Sequence, residues 1–272
     1  MEENNRILDE GNFGRLFMER KSVRAYTDEP ISSEIKDTLI AATLRSATAG
    51  NMMLYSILEI EDPAIKARLV ETCDHQPFIA TAPLVLIYLA DYARMTTFFE
   101  ASRVKEILSS ETAAMAWPRE SDLLLAASDA MIAAQTTAIA AQALGLGSCY
   151  IGDIMEHWEV HRDLLHLPRY AFPVAMLCIG YPTEQQKQRP QPPRLPVSAV
   201  LHKNHYTLPG PELLAALYTG PGYASPGQGK GKDEPKNAGQ ALYRRKFDTD
   251  YSREMRRSVK AMLEAWWWKD PD

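Results

Sequence analysis

Arg20-Lys21-Ser22-Val23-Arg24-Ala25-Tyr26 places three cations and a hydroxyl within five positions, directly ahead of an aromatic residue. Arginine presents a planar fork of N–H donors that matches phosphate oxygens two at a time, lysine adds a compact charge, and serine supplies one more hydrogen bond. A solvated basic turn has the same composition, because exposed charge is the ordinary state of a protein surface. The rest of the chain decides between a surface turn and an anion cradle.

The chain has 272 residues, 46% of them hydrophobic and 24% charged, the balance of a globular protein with a real core. Its formal charge of −5 argues against a nucleic-acid binder working through a global positive field, so the basic segment must serve a small, local anion. Cys73, Cys149 and Cys178 lie far apart without a C-x-x-C pair, which offers neither a disulfide framework nor a zinc knuckle and suits a reducing cytoplasm. Glu2, Glu3, Arg6, Asp9 and Glu10 interrupt any apolar core of a signal peptide, so secretion is not expected. Between Asp129 and Asp153 no side chain is charged, a length close to a bilayer span. That stretch is rich in alanine and contains Gln135, Thr136, Thr137 and Gln142, which makes its transfer into lipid weak. A helix buried on most sides, in the core or at a subunit interface, is expected, with no membrane partner.

Apolar spacing predicts a serine-capped helix over Glu34–Arg45, a strand over Leu54–Ile60, a helix from Asp62-Pro63 to about Thr72, and a strand over Pro83–Ala90. Helices are predicted at 95–108 and Ser121–Leu144, the second closed by Gly145 and Gly147, with a loop running on through Gly152. A helix over His157–Leu167 and a buried strand over Pro173–Gly180 follow, giving at least three strands. Prolines make regular structure improbable from Pro182 to Pro196, and residues 219–240 read as a mobile loop. A basic amphipathic helix from about Thr249 ends in Trp266-Trp267-Trp268; packing on its own fold or on a partner subunit is preferred to a membrane-surface anchor.

Two further segments carry small or bare backbone. Thr48-Ala49-Gly50-Asn51-Met52-Met53 forms a loop of low bulk that lets a planar ligand approach the main chain. Gly145-Leu146-Gly147-Ser148-Cys149-Tyr150-Ile151-Gly152 is not a dinucleotide fingerprint, because Tyr150 replaces the third glycine and a helix precedes it where a strand is required. His157 and His161 lie four apart in the manner of a zinc pair, yet Glu159 is one position off H-E-x-x-H and only His166 is nearby, so no metal site is expected.

Together these segments resemble the nitroreductase family of FMN-dependent flavoproteins, in particular its NADPH-type flavin reductase branch. The resemblance spans most of residues 13–206 and rests on order and spacing: Arg20-Lys21-Ser22-x-Arg24-x-Tyr26, Thr48-Ala49-Gly50-Asn51 before Tyr55-Ser56-Ile57, Gln76-Pro77-Phe78-Ile79-Ala80-x-Ala82-Pro83, Gly145-Leu146-Gly147 to Ile151-Gly152, and Arg194-Leu195-Pro196. It implies an α+β, three-layer fold with a mixed, mainly antiparallel sheet flanked by helices, in an intertwined homodimer. Residues 1–206 would form the FMN-binding domain, and 207–272 an extension packed on it or on the partner subunit. By that likeness Arg20, Lys21, Ser22 and Arg24 would bind the FMN phosphate and the flavin's polar edge, with Arg24 or Lys21 stabilising the charge of reduced flavin. Thr48, Ala49 and Gly50 would line the phosphate and ribityl side. Asn51 and Gln76 would hydrogen-bond the flavin or its ribityl chain, Ile151 and Gly152 would offer backbone near N5, and Arg194 would reach the phosphate.

The chain departs from the family pattern at three positions: Met53 stands for a glutamine, Asp153 for a glycine and Pro192 for a lysine. FMN should still bind. Asp153 is expected to point outward as a helix cap; pointing inward, its charge would disfavour anionic substrates. The implied activity is electron transfer from NADH or NADPH through flavin N5 to a nitroaromatic, quinone or flavin acceptor in a ping-pong cycle, with no side-chain acid or nucleophile. The alternatives are a flavin-binding sensor or storage protein without turnover, and the same fold used for another flavin reaction.

Overall fold

The computed structural model describes residues 13–108, 115–219 and 234–267. Internal contacts divide the chain into Met1–Arg189 with Arg257–Asp272, and Pro190–Arg256.

The first unit is built on one antiparallel sheet in the order β1-β2-β4-β3, where β1 is Tyr55–Glu59, β2 Leu84–Asp91, β3 Gly147–Ile151 and β4 Ala171–Gly180. Every residue of β2 is buried, as expected of a central strand covered on both faces. Its side chains alternate between two cores. Val85, Ile87 and Leu89 join Met176, Cys178, Leu69 and Phe78 on one face, while Leu84, Leu86 and Tyr88 join Leu177, Ile179 and Leu39 on the other. Three layers result, and the fold is α+β. The β2–β4 register slips between Tyr88 and Leu89, where Pro173 lies opposite and has no N–H to give.

The second of these faces is covered by α1 (Ser33–Thr43) and α5 (Glu120–Ala143). Ser32 caps α1, its Oγ accepting from the Ile35 N–H at 3.3 Å. Along α5 the side facing the sheet is nearly all alanine, with Ala130, Ala133, Ala134, Ala138 and Ala141 buried, so the helix approaches closely. Leu124, Leu125, Met131 and Ile132 are exposed on the same helix. Its end is a glycine cap: Gly145 takes φ +78°, and Leu146 N–H bonds the Ala141 carbonyl at 2.8 Å.

The first face is covered by α2 (Pro63–Thr72), α3 (Phe78–Thr81), α6 (Trp158–Leu164) and the end of the last helix. There Trp266 is fully buried, edge-on to Tyr170 and Phe172, with Nε1–H donating to the Arg119 carbonyl at 3.2 Å. The terminal tryptophan is thus core, as an aromatic with a satisfied N–H can be; Trp268 lies outside the described residues. Between the faces, α4 (Ala93–Ala101) follows β2, and α7 (Glu184–Gln188) follows β4.

Several elements differ from the sequence expectations. The helix expected over 95–108 stops at Ala101, because Arg103 adopts φ +54°, and continues as a 3₁₀ turn over Val104–Ile107. The loop expected through Gly152 is strand β3, paired along β4 from Gly147↔Gly180 to Ile151↔Met176; its apolar content is too short for periodicity to reveal. The irregular stretch 182–196 includes α7, capped by Thr183 Oγ1 accepting from Gln186 N–H. In the second unit lie a 3₁₀ turn (Val197–Ala199), α8 (Pro211–Leu217), α9 (Ala238–Lys246) and the start of α10 (Asp250–Trp267), whose residues from Arg257 onward belong to the first unit. Most of the 219–240 segment expected to be mobile lies outside the described residues.

Beside the free edge of β3 runs the 20–27 segment. Ser22 bridges Ser148 in parallel, Val23 N–H donates to the Ser148 carbonyl at 3.0 Å, and Thr27 N–H donates to the Tyr181 carbonyl at 2.9 Å. Two opposed glycines permit the approach. A Cβ on Gly147 would stand 2.5 Å from Val23 Cγ2, and one on Gly180 would stand 2.7 Å from Pro83 Cδ and 2.8 Å from Tyr26 Cδ1. We expect Gly147→Ala to lose about 1–3 kcal/mol of stability by overpacking against the stiff, buried Val23, and Val23→Ala in that background to restore part of it, both read by urea unfolding.

Candidate active site

Around the bridge at Ser22 successive side chains take opposite directions: Val23 is buried against Gly147 while Arg24 is exposed. Lys21 turns to the end of α7, its Nζ donating to the Lys187 carbonyl at 2.6 Å and the Arg189 carbonyl at 2.5 Å. An ammonium at a helix C-terminus meets the carbonyls that lack intrahelical partners. The clamp is reciprocal, because Arg189 Nη2 donates back to the Ser22 carbonyl and Gln186 Oε1 accepts from the Arg24 N–H at 3.2 Å. Neither Arg24 nor Arg189 has a carboxylate partner among the described residues. Burial pushes the nearby Cys149 thiol up, and Arg24, Ser22, Arg189 and Arg20 draw it down. Arg189 and Ser22 meet directly there, by the start of β3.

The turn carrying Thr48, Ala49, Gly50, Asn51 and Met53 is held from α5. Asp129, buried inside that helix, accepts from the Thr48 hydroxyl, from the Ala49 N–H at 3.0 Å and from the Leu54 N–H at 3.1 Å. Thr48 Oγ1 in turn accepts from the Met53 N–H at 2.8 Å. Gly50, Asn51 and Met53 all sit at positive φ, a conformation that costs Asn and Met energy unless neighbours impose it. Arg94 on α4 completes the support, donating to the Met53 and Tyr55 carbonyls while Nε pairs with buried Asp91 at 3.1 Å. The contacts of this turn are with α5 and Arg94; those of the cation segment are with β3 and α7.

At the other end of β3, Ile151 is buried and Gly152 is exposed, with nothing within 4 Å of the position a Cβ would take. Gln76 stands beside this exit. Its Nε2 donates to the Cys73 carbonyl at 3.2 Å and to Asp153 Oδ2 at 2.6 Å, which fixes the amide's orientation and leaves Oε1 without a partner among the described residues. Asp153 was expected as an outward helix cap. Instead it lies in the 3₁₀ turn Gly152–Met155 and takes the Gln76 amide, because Asp74 and His75, both at positive φ, turn the chain so that Gln76 faces it. Burial and, next, the Asp153 carboxylate hold the Cys73 thiol above its usual range.

The same 3₁₀ turn is fixed from below by His161, which is fully buried. Its Nδ1 lies 2.9 Å from the Ile154 carbonyl and so carries the proton, and Nε2 accepts from the Thr72 hydroxyl at 2.8 Å. Both nitrogens of this half of the zinc-like histidine pair are thereby engaged. Arg194 belongs to the second unit, where Nη1 bends back to the Pro192 and Pro193 carbonyls at 3.3 and 3.4 Å. Asp129 and Arg94 were not singled out from sequence. Asp129 had a signal, being the one charge inside an otherwise uncharged helix interior; Arg94 had none.

Burial lowers the His161 pKa to about 4. The unfolded chain, with a histidine near 6.5, binds the extra proton first, so this contribution to stability is complete above about pH 6.5 and is lost as pH falls toward 4. His161→Gln should flatten the pH dependence of the unfolding free energy across that window. For the 48–53 turn, Asp129→Asn replaces an acceptor by a donor facing N–H groups, and should cost about 2–4 kcal/mol and speed amide exchange at Ala49 and Leu54.

The model of a known family, described as the nitroreductase family, matches residues 17–181. The FMN reductase [NAD(P)H] of Bacillus subtilis is 34% identical over 190 residues, covering 69% of this chain and 72% of that protein. The oxygen-insensitive NADPH nitroreductase of Salmonella typhimurium is 30% identical over 203 residues, covering 75% and 78%. Among solved structures, NfrA2 of B. megaterium superimposes with a TM-score of 0.75 at 28% identity, over 97% of this chain and 100% of that one. This chain belongs to the nitroreductase family.

Proposed function

We propose that this protein is an FMN-dependent oxidoreductase that takes electrons from NADH or NADPH and passes them to a small acceptor such as a nitroaromatic, a quinone or free flavin. The observation that carries this reading is the layout along β3. The Arg189 guanidinium meets the Ser22 carbonyl at the bridge to Ser148, and the strand then runs about 13 Å, at roughly 3.3 Å per residue, to the open space at Gly152. A phosphate tethered to a flat ring through a short polyol chain asks for those two features at such a separation. Relatives described as FMN reductase and NADPH nitroreductase support it.

When bound, FMN supplies the two-electron exchange between the nicotinamide and the acceptor in a ping-pong cycle. The chain's own residues hold it and set its field. Arg20, Ser22 and Arg24 take the phosphate, with Lys21 adding charge. Thr48, Ala49 and Gly50 line the phosphate and ribityl side, with Asn51 and Met53 on the same turn. Gln76 offers its Oε1 to the ring, since its amide nitrogen is committed to Cys73 and Asp153. Ile151 and Gly152 bring bare backbone to the ring edge. The Asp153 carboxylate at that exit favours neutral over anionic acceptors by like-charge repulsion.

A homodimer accounts for α5, whose Leu124, Met131 and Ile132 are apolar and exposed. The turn held by Asp129 at that helix would then serve the site of the second copy. The reducing cytoplasm suits three buried free thiols.

The purified protein should be yellow. Anaerobic NADPH or NADH should bleach it, and a quinone should restore the colour, in single-turnover absorbance traces. Protein loaded with FMN that neither nucleotide bleaches would instead be a flavin store or sensor.

A further inference from the structure

We propose that Arg189 is a phosphate-binding residue of the flavin site, supplying beside Ser22 the fork of donors that Lys21, held to the end of α7, does not. This assignment rests on the flavin reading above. Arg189 directly follows α7 in extended conformation, which swings it off the helix and back over the 20–24 segment. One arm of its guanidinium, Nη2, is oriented by the Ser22 carbonyl, at the residue that bridges to Ser148. The other N–H donors of the side chain have no partner among the described residues, and neither they nor those of Arg24 meet a carboxylate.

Guanidinium groups brought together without a carboxylate repel one another, and the arrangement is stabilised when an anion joins them. Ser22, whose carbonyl takes the Arg189 guanidinium, bridges to Ser148 next to Cys149, and the Arg24 and Arg189 charges both draw the Cys149 thiol down. Lys21 is already engaged, because two carbonyls at the end of α7 accept from its ammonium. Arg189 is half-buried, so its charge is screened less than that of an exposed surface arginine. A planar fork pinned at one nitrogen is preorganised for two phosphate oxygens.

Riboflavin has the ring and polyol of FMN but no phosphate, so the two ligands separate the phosphate contact from the rest of the site. Apoprotein would be titrated with each, following quenching of flavin fluorescence, for wild type, Arg189→Gln and Arg189→Lys, at low and moderate salt. Arg189→Gln should weaken FMN about 10- to 100-fold, as expected for a charge-assisted contact, and riboflavin by less than about threefold. Arg189→Lys should fall between, since it keeps the charge and loses the fork. Added salt should weaken FMN binding more in the wild type than in Arg189→Gln. An FMN-to-riboflavin affinity ratio unchanged in both variants, to within about threefold, overturns the assignment. Thermal unfolding checks that each variant is folded; if Arg189→Gln is not, the ratio in Arg189→Lys decides. Wild-type protein that binds neither flavin overturns the flavin reading itself, and this assignment with it.

Discussion

The close approach of the 20–27 segment to the sheet governs everything that the candidate site can do. Gly147 and Gly180 face each other across β3 and β4, and the absence of both Cβ atoms leaves room for Val23 and Tyr26. Burial of Val23 then anchors the segment, while the bridge at Ser22 sets its register. The Tyr26 hydroxyl, 2.8 Å from the carbonyls of both Val23 and Cys178, ties the segment to β4, and burial holds that phenol far above its ordinary pKa. Cations whose backbone is pinned in this way can face one another without the entropy cost of being gathered by an anion alone.

Charge is distributed along β3 in a graded manner. The Arg189 guanidinium lies by its start, a glycine with open space marks its end, and a carboxylate paired with a glutamine amide lies just beyond. A ligand with an anionic tail and a neutral ring is oriented by such a gradient, because the reverse placement sets the tail against Asp153. The supporting groups below the site are neutral or fully paired. His161 is held as free imidazole between two elements, and Asp129 distributes its charge over a hydroxyl and two backbone N–H groups. Both residues position backbone turns by filling hydrogen bonds that water cannot reach.

The principal elements of the fold were legible from sequence where pattern and cap chemistry agreed. Ser32 and Asp62 announced α1 and α2, the apolar runs announced β2 and β4, and Gly145 announced the end of α5. β3 was not legible, since five residues flanked by glycines carry too little periodicity to distinguish a strand from a glycine-rich loop. α7 was hidden by the prolines around it, although Thr183 and Glu184 form an ordinary helix start. Arg103 ended a predicted helix by adopting a left-handed conformation that nothing in its side chain favours.

Local chemistry by itself determined that residues 20–24 concentrate positive charge, that the chain has an alternating α+β pattern, and that glycines punctuate residues 48–53 and 145–152. Those properties depend on residue type and short spacing, which a sequence displays directly. Tertiary structure alone decided where these cations go: Lys21 closes a helix end while Arg189 donates back to the Ser22 carbonyl. It also decided that Asp153 meets Gln76, and that a carboxylate in the middle of an alanine helix orders a turn far away in the chain. The physical reason is that hydrogen bonds between residues distant in sequence depend on the packing of whole layers, and no local pattern encodes that packing.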